Sequence, residues 1–183
     1  MRTKLSKALK QVAIGGTLAA IATSGYAATQ GTVGFNSTGD LIITMNVTDD
    51  VRISALEDLD FGTLSGVGGT ETSPACIYRN SGTTSRLYEV SAVGSGLGGA
   101  YTLTGITGAT VPYSVTFNDT TAGGASTAMS IGGTAPGTNA RGDINCATFG
   151  NNASIDVTIS DAAAQAAPAD AYTGTLTLTV SPN

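Results

Sequence analysis

Ser154-Ile-Asp-Val-Thr-Ile159 and Tyr172-Thr-Gly-Thr-Leu-Thr-Leu-Thr-Val180 decide the fold, because each places its large apolar residues at alternate positions. Ile155, Val157 and Ile159 alternate with Ser154, Asp156 and Thr158; Tyr172, Leu176, Leu178 and Val180 alternate with Thr173, Thr175, Thr177 and Thr179. A repeat of two is the period of a β-strand with one face buried and one wet. Between them, Asp161-Ala-Ala-Ala-Gln-Ala-Ala167 has strong helix propensity and ends at Pro168, which predicts one or two turns of helix.

Working towards the N-terminus, the pattern recurs. Ala128 to Ile131, Val111 to Phe117, Ala100 to Leu103, Leu87 to Val93, Ala75-Cys-Ile-Tyr78 and Leu59-Asp-Phe-Gly-Thr-Leu64 all read as short strands. Leu41, Ile43, Met45 and Val47 form one apolar face that resumes at Val51 and Ile53, so a single broken or bulged strand is expected there. Ser65 to Ser73, Gly94 to Gly99, Ala122 to Ser126 and Gly132 to Thr138 read as exposed Gly-rich loops. Many short strands with turn signals between them predict an all-β antiparallel sandwich in one domain over residues 40–183.

The first 27 residues read differently. Arg2, Lys4, Lys7 and Lys10 precede an apolar run from Val12 to Ala22, and Gly25 and Ala27 are the small residues of a signal-peptidase site. The run is far shorter than the ~20 residues that cross a bilayer. A cleavable signal peptide over 1–27 is therefore expected, with the new N-terminus at Ala28 and the chain exported. Removal leaves Arg52, Arg79, Arg86 and Arg141 against 13 acidic residues, a net charge of −9. Nucleic acid is a poor partner for such a surface.

No Lys, His or Trp remains after residue 27. A hydroxyl nucleophile would have no His or Lys as its base, so catalysis is not expected, and no cofactor or metal is implied. Cys76 and Cys146 are an even pair in an oxidising compartment and are expected to bond to each other. Asp49-Asp50 with Glu57, Asp58 and Asp60 could ligate a hard cation, but they lack the spacing of a calcium loop and read as solvated turn and edge charge. Arg141-Gly142-Asp143 matches a tripeptide that adhesion receptors read, and equally an ordinary turn.

Three segments resemble the bacterial chaperone-usher pilins (fimbrial subunits), especially the archaic, spore coat protein U-like branch. Leu59-Asp-Phe-Gly-Thr-Leu-Ser65 is similar to an early strand with a Phe-Gly-Thr core. Val111-Pro-Tyr-Ser-Val115, followed by Asn118-Asp119, is similar to the mid-domain Leu-Pro-Tyr-Asn segment, and Ala171 to Val180 is similar to the closing strand. The resemblance implies an incomplete immunoglobulin-like sandwich completed by a donor strand, a periplasmic chaperone, an outer-membrane usher, and a pilus subunit on the cell surface that supports adhesion or biofilm formation. The sequence departs from the family in having no early Cys and one pair at Cys76 and Cys146.

Read from the residues themselves, the arm from Ala28 to Gly39 carries Val33 and Phe35 in alternation and could supply a strand to another copy, with Leu41, Ile43 and Met45 in the strand beside it. The other readings are that the arm lies on its own domain or is loose. A monomeric secreted module that holds carbohydrate or a cation on its Gly-rich loops is the alternative to a fibre subunit. N-terminal sequencing of the exported protein is expected to start at Ala28; a start at Met1 would remove the export reading.

Overall fold

The computed structural model describes residues 28–80 and 86–183, so the expected signal peptide lies outside the described residues. The chain divides into two units, Met1–Asn46 and Val47–Asn183. In the first, the described part is paired at one place: Thr29 and Asp40 exchange main-chain hydrogen bonds of 2.9 and 3.0 Å and close a hairpin-like loop.

The second unit is the sandwich. Its strands are β1 (Val51–Ser54), β2 (Gly69–Arg79), β3 (Tyr88–Gly94), β4 (Thr102–Gly105), β5 (Thr110–Pro112), β6 (Ser114–Asp119), β7 (Ser126–Ala128), β8 (Thr134–Gly137), β9 (Ala153–Ile159), β10 (Tyr172–Thr173) and β11 (Leu176–Pro182), with one helix, α1 (Asp161–Ala166). They form a five-stranded sheet in the order β1-β2-β9-β6-β7 and two three-stranded sheets, β10-β4-β5 and β11-β3-β8. Every ladder between them is antiparallel. The fold class expected from the sequence, an all-β immunoglobulin-like antiparallel sandwich, is the one observed.

Alternation accounts for the core. β9 buries Ala153, Ile155, Val157 and Ile159, and β6 buries Val115 and Phe117. These meet Tyr88, Val90 and Ala92 of β3 and Val111 of β5 in one apolar cluster. The wet face of β2, β9 and β6 is a hydroxyl and carboxylate ladder in which Thr70 bonds Thr158, and Asp156 accepts from Thr72 and Asn118. Ser160 caps α1 by accepting the Ala163 N–H, and the helix stops before Pro168 as expected.

Three expectations are corrected. Leu41–Val47 forms no strand, and Leu41, Ile43 and Met45 are exposed. An apolar alternating segment becomes a strand only where a neighbour takes its main-chain groups, and no described residue does so for these. Leu59–Leu64 likewise joins no ladder, although Leu59, Phe61 and Leu64 pack on the core. Conversely β8 and the first half of β2 arise from stretches expected to be loops. β8 pairs along β3, and Gly137 is required there because a Cβ would overlap the Tyr88 ring.

Two polar devices fix the loops. Just before β9 begins, buried Asn152 acts as a strand would: its Oδ1 accepts the Ile77 N–H at 2.7 Å, and its Nδ2 donates to the Ile77 and Asn139 carbonyls at 3.0 Å. Asp119, also buried, accepts from the N–H and hydroxyl of both Thr121 and Thr138 at 2.6 to 3.0 Å. Burial pushes its carboxyl up, but those four bonds outweigh burial and hold it below its ordinary value. A carboxylate lowered on folding contributes stability above its unfolded value near ~4, and that contribution is lost as pH falls through the folded value. Thermal melts between pH 7 and 3 are therefore expected to show an acid loss of stability that is smaller in Asp119→Asn, which is itself less stable at pH 7.

Candidate functional site: an apolar cleft beside an unfinished strand

β11 hydrogen-bonds to β3 along seven residues, from Leu176 opposite Gly94 to Pro182 opposite Tyr88. Its other edge has no ladder partner among the described residues. Leu176, Leu178 and Val180, which point to the core side, are in consequence only partly buried.

Across from β11 runs the Leu56–Leu64 segment. Among the described residues its main-chain N–H groups make two hydrogen bonds, Glu57 N–H to the Ser73 hydroxyl and Gly62 N–H to the Asp60 carboxylate, both 2.8 Å. Gly62 sits in the left-handed region at φ 58°, which breaks the extended run. Between this segment and residues 171–178 lies a cleft of about 1270 Å³. Its floor is core: Val111, Tyr113, Ile155, Val157 and Ile159, all 9% exposed or less, covered by Leu59, Phe61 and Leu64 from one side and Leu176 and Leu178 from the other.

The cleft is thus bounded by two stretches of main chain whose hydrogen-bonding groups are largely unpaired among the described residues, above an apolar floor. Unpaired strand edges recruit other strands unless covered or charged. At one end Asp170 accepts the N–H and hydroxyl of Thr107 at 2.9 and 2.7 Å, and these bonds hold its carboxyl below the ordinary value. Glu57, Asp58 and Asp60 on the rim make it acidic as well.

The other expected site residues fall elsewhere. Val33, Phe35, Leu41, Ile43 and Met45 are all exposed. Cys76 and Cys146 are bonded to each other and buried, tying β2 to the loop after Ala140. A closure of that length is worth about 4 kcal/mol on the chain-entropy account. Asp49 pairs with Arg79, and the Asp50 carboxylate accepts the Thr48 hydroxyl; among the described residues no three His, Cys, Asp or Glu side chains meet as a metal site would require. The Arg141-Gly142-Asp143 turn is spent internally: the Arg141 guanidinium donates to the Phe149 and Gly150 carbonyls over the Phe149 ring, and Asp143 accepts the Thr148 N–H. These bonds fold the tripeptide onto its own loop.

No family model matches the chain, and no curated protein matches it. Among solved structures it is similar to a chain from one described as "Chaperone-tip adhesin complex is vital for synergistic activation of CFA/I fimbriae biogenesis". The TM-score is 0.52 at 17% identity, and the match covers 73% of this chain and 42% of that one. At that identity what is shared is the fold, and this chain spans less than half of the other's length.

Floor and wall residues are expected to differ in urea unfolding. Ile155→Ala should cost about 2–5 kcal/mol as a core truncation, whereas Leu178→Ala should cost about 1 kcal/mol, since its side chain is only partly removed from water. Equal losses would mean that the cleft is closed in solution.

Proposed function

We propose that this protein is an exported structural subunit of a surface fibre or pilus, joined to its neighbours by a strand that one copy inserts into the cleft of the next. The single observation that carries the reading is the cleft itself: among the described residues β11 has no ladder partner on one side, directly beside an apolar floor. An inserted strand supplies both missing things at once, main-chain partners for β11 and alternate side chains for the floor. The fold shared with a chain of a fimbrial chaperone–adhesin complex supports the reading.

The same chain carries a suitable donor. Leu41-Ile-Ile-Thr-Met-Asn-Val47 has seven residues, as β11 has, and spans about 20 Å when extended. Leu41, Ile43, Met45 and Val47 would face the floor. Val33 and Phe35 sit inside the loop closed by Thr29 and Asp40, so they are less ready to extend. During transit an unfilled cleft would be an aggregation hazard, which gives a periplasmic chaperone and an outer-membrane usher their place, as in the pilins this sequence resembles. Adhesion or biofilm formation is the downstream role.

The exported subunit is expected to form fibres visible by electron microscopy, and the same subunit without residues 28–46 is expected to form none. A synthetic Asp40–Thr48 peptide should raise the melting temperature of that truncated subunit, by about 2.7 kcal/mol of stabilisation at a hundredfold excess over its Kd. Fibres from the truncated subunit, or a peptide without effect, would overturn the assignment.

A further inference from the structure

Arg79 is 7% exposed and lies at the end of β2, where a long cation is an expensive choice unless fully paired. Its guanidinium serves three acceptors from three parts of the chain. Nε and Nη2 form a fork on the two Asp49 oxygens at 3.0 and 2.6 Å; Nη1 donates to the Leu87 carbonyl at the start of β3 and, at 2.9 Å, to the Asn183 carbonyl just beyond β11. The Asp49 carboxyl is held below its ordinary value by that fork, and the Arg79 guanidinium is raised by it. Asn80 adds to the same junction: its Oδ1 accepts the Asp50 N–H at 2.8 Å, its Nδ2 donates to the Thr48 carbonyl, and its own N–H donates to the Asp50 carbonyl at 3.1 Å.

Thr48 to Asp50 lie at the start of the second unit, the root of the arm in the strand-insertion reading, and Asn183 follows the strand that walls the cleft. We infer that Arg79 is a positioning residue that fastens the root of the outgoing arm to the far end of the cleft wall, so that pull on an inserted strand and pull on the departing arm meet at one side chain. The inference rests on the strand-insertion reading for its mechanical meaning, while the junction itself is a property of the single subunit. A lysine at 79 would keep the charge but lose the fork and could not reach all three acceptors.

The test is amide hydrogen exchange on the exported subunit, in wild type, Arg79→Lys, Asp49→Asn and the double variant, with rupture force measured on wild-type and variant fibres. Exchange at Asp50 to Ile53 is expected to quicken about tenfold in each single variant, and no further in the double, while β9 and β6 keep their protection. Fibre rupture force is expected to fall in the same variants. Unchanged exchange at the root, or an equal loss across β9 and β6, would overturn the inference, the latter because it would make Arg79 a general stabiliser. If wild-type subunits form no fibres, the strand-insertion reading fails by itself, and the exchange result still judges the junction.

Discussion

Among the described residues the main-chain edge of β11 is satisfied on one side only, and much else in the structure follows from that shortage. A strand with partners on both edges can bury its inward side chains completely. β11 cannot, so Leu176, Leu178 and Val180 stay partly wet, and the floor beside them is covered by the unpaired Leu56–Leu64 segment, not by a strand. Completing such a strand would remove apolar surface from water at roughly 25 cal/mol per Å² and satisfy several N–H and C=O groups together.

A sandwich left open along one edge needs its rigidity from elsewhere. Here it comes from polar and covalent ties concentrated at loop junctions: the Cys76–Cys146 bond, the Asn152 side chain standing in for a missing stretch of β9, the four-bonded Asp119, and Arg79. Each closes a long-range contact that the truncated sheets cannot. None of these side chains is among those that line the cleft.

Strands with a strong repeat of two were legible because burial on one face imposes that repeat; β9, β11, β3 and β6 carry it plainly. β8 was not, since Thr134-Ala-Pro-Gly137 is selected for fitting against Tyr88 and β3, and small residues leave no periodic signal. Leu41–Val47 misled in the opposite direction, because periodicity reports which face would be buried and says nothing of which chain would bury it. The cleft was out of reach for a related reason: its walls are about 110 residues apart in sequence, and nothing local announces that Phe61 and Leu178 face one floor. The pair Cys76 and Cys146 was readable from compartment alone, whereas Arg79 looked like any other arginine until its three acceptors converged.

The arginines have one more consequence. Residues 28–183 contain four of them and no lysine. Arg79 is buried, Arg141 is folded onto the Phe149 loop, Arg86 donates to the Ala140 carbonyl, and Arg52 to the Asn145 side chain. Trypsin-like proteases, which cut after basic residues, therefore have few bonds to attack, and none of these side chains is idle. Cleavage would have to wait for local opening of the fold, and its rate would follow the population of that open state. Such a composition makes durability against digestion a property of the sequence as much as of the fold.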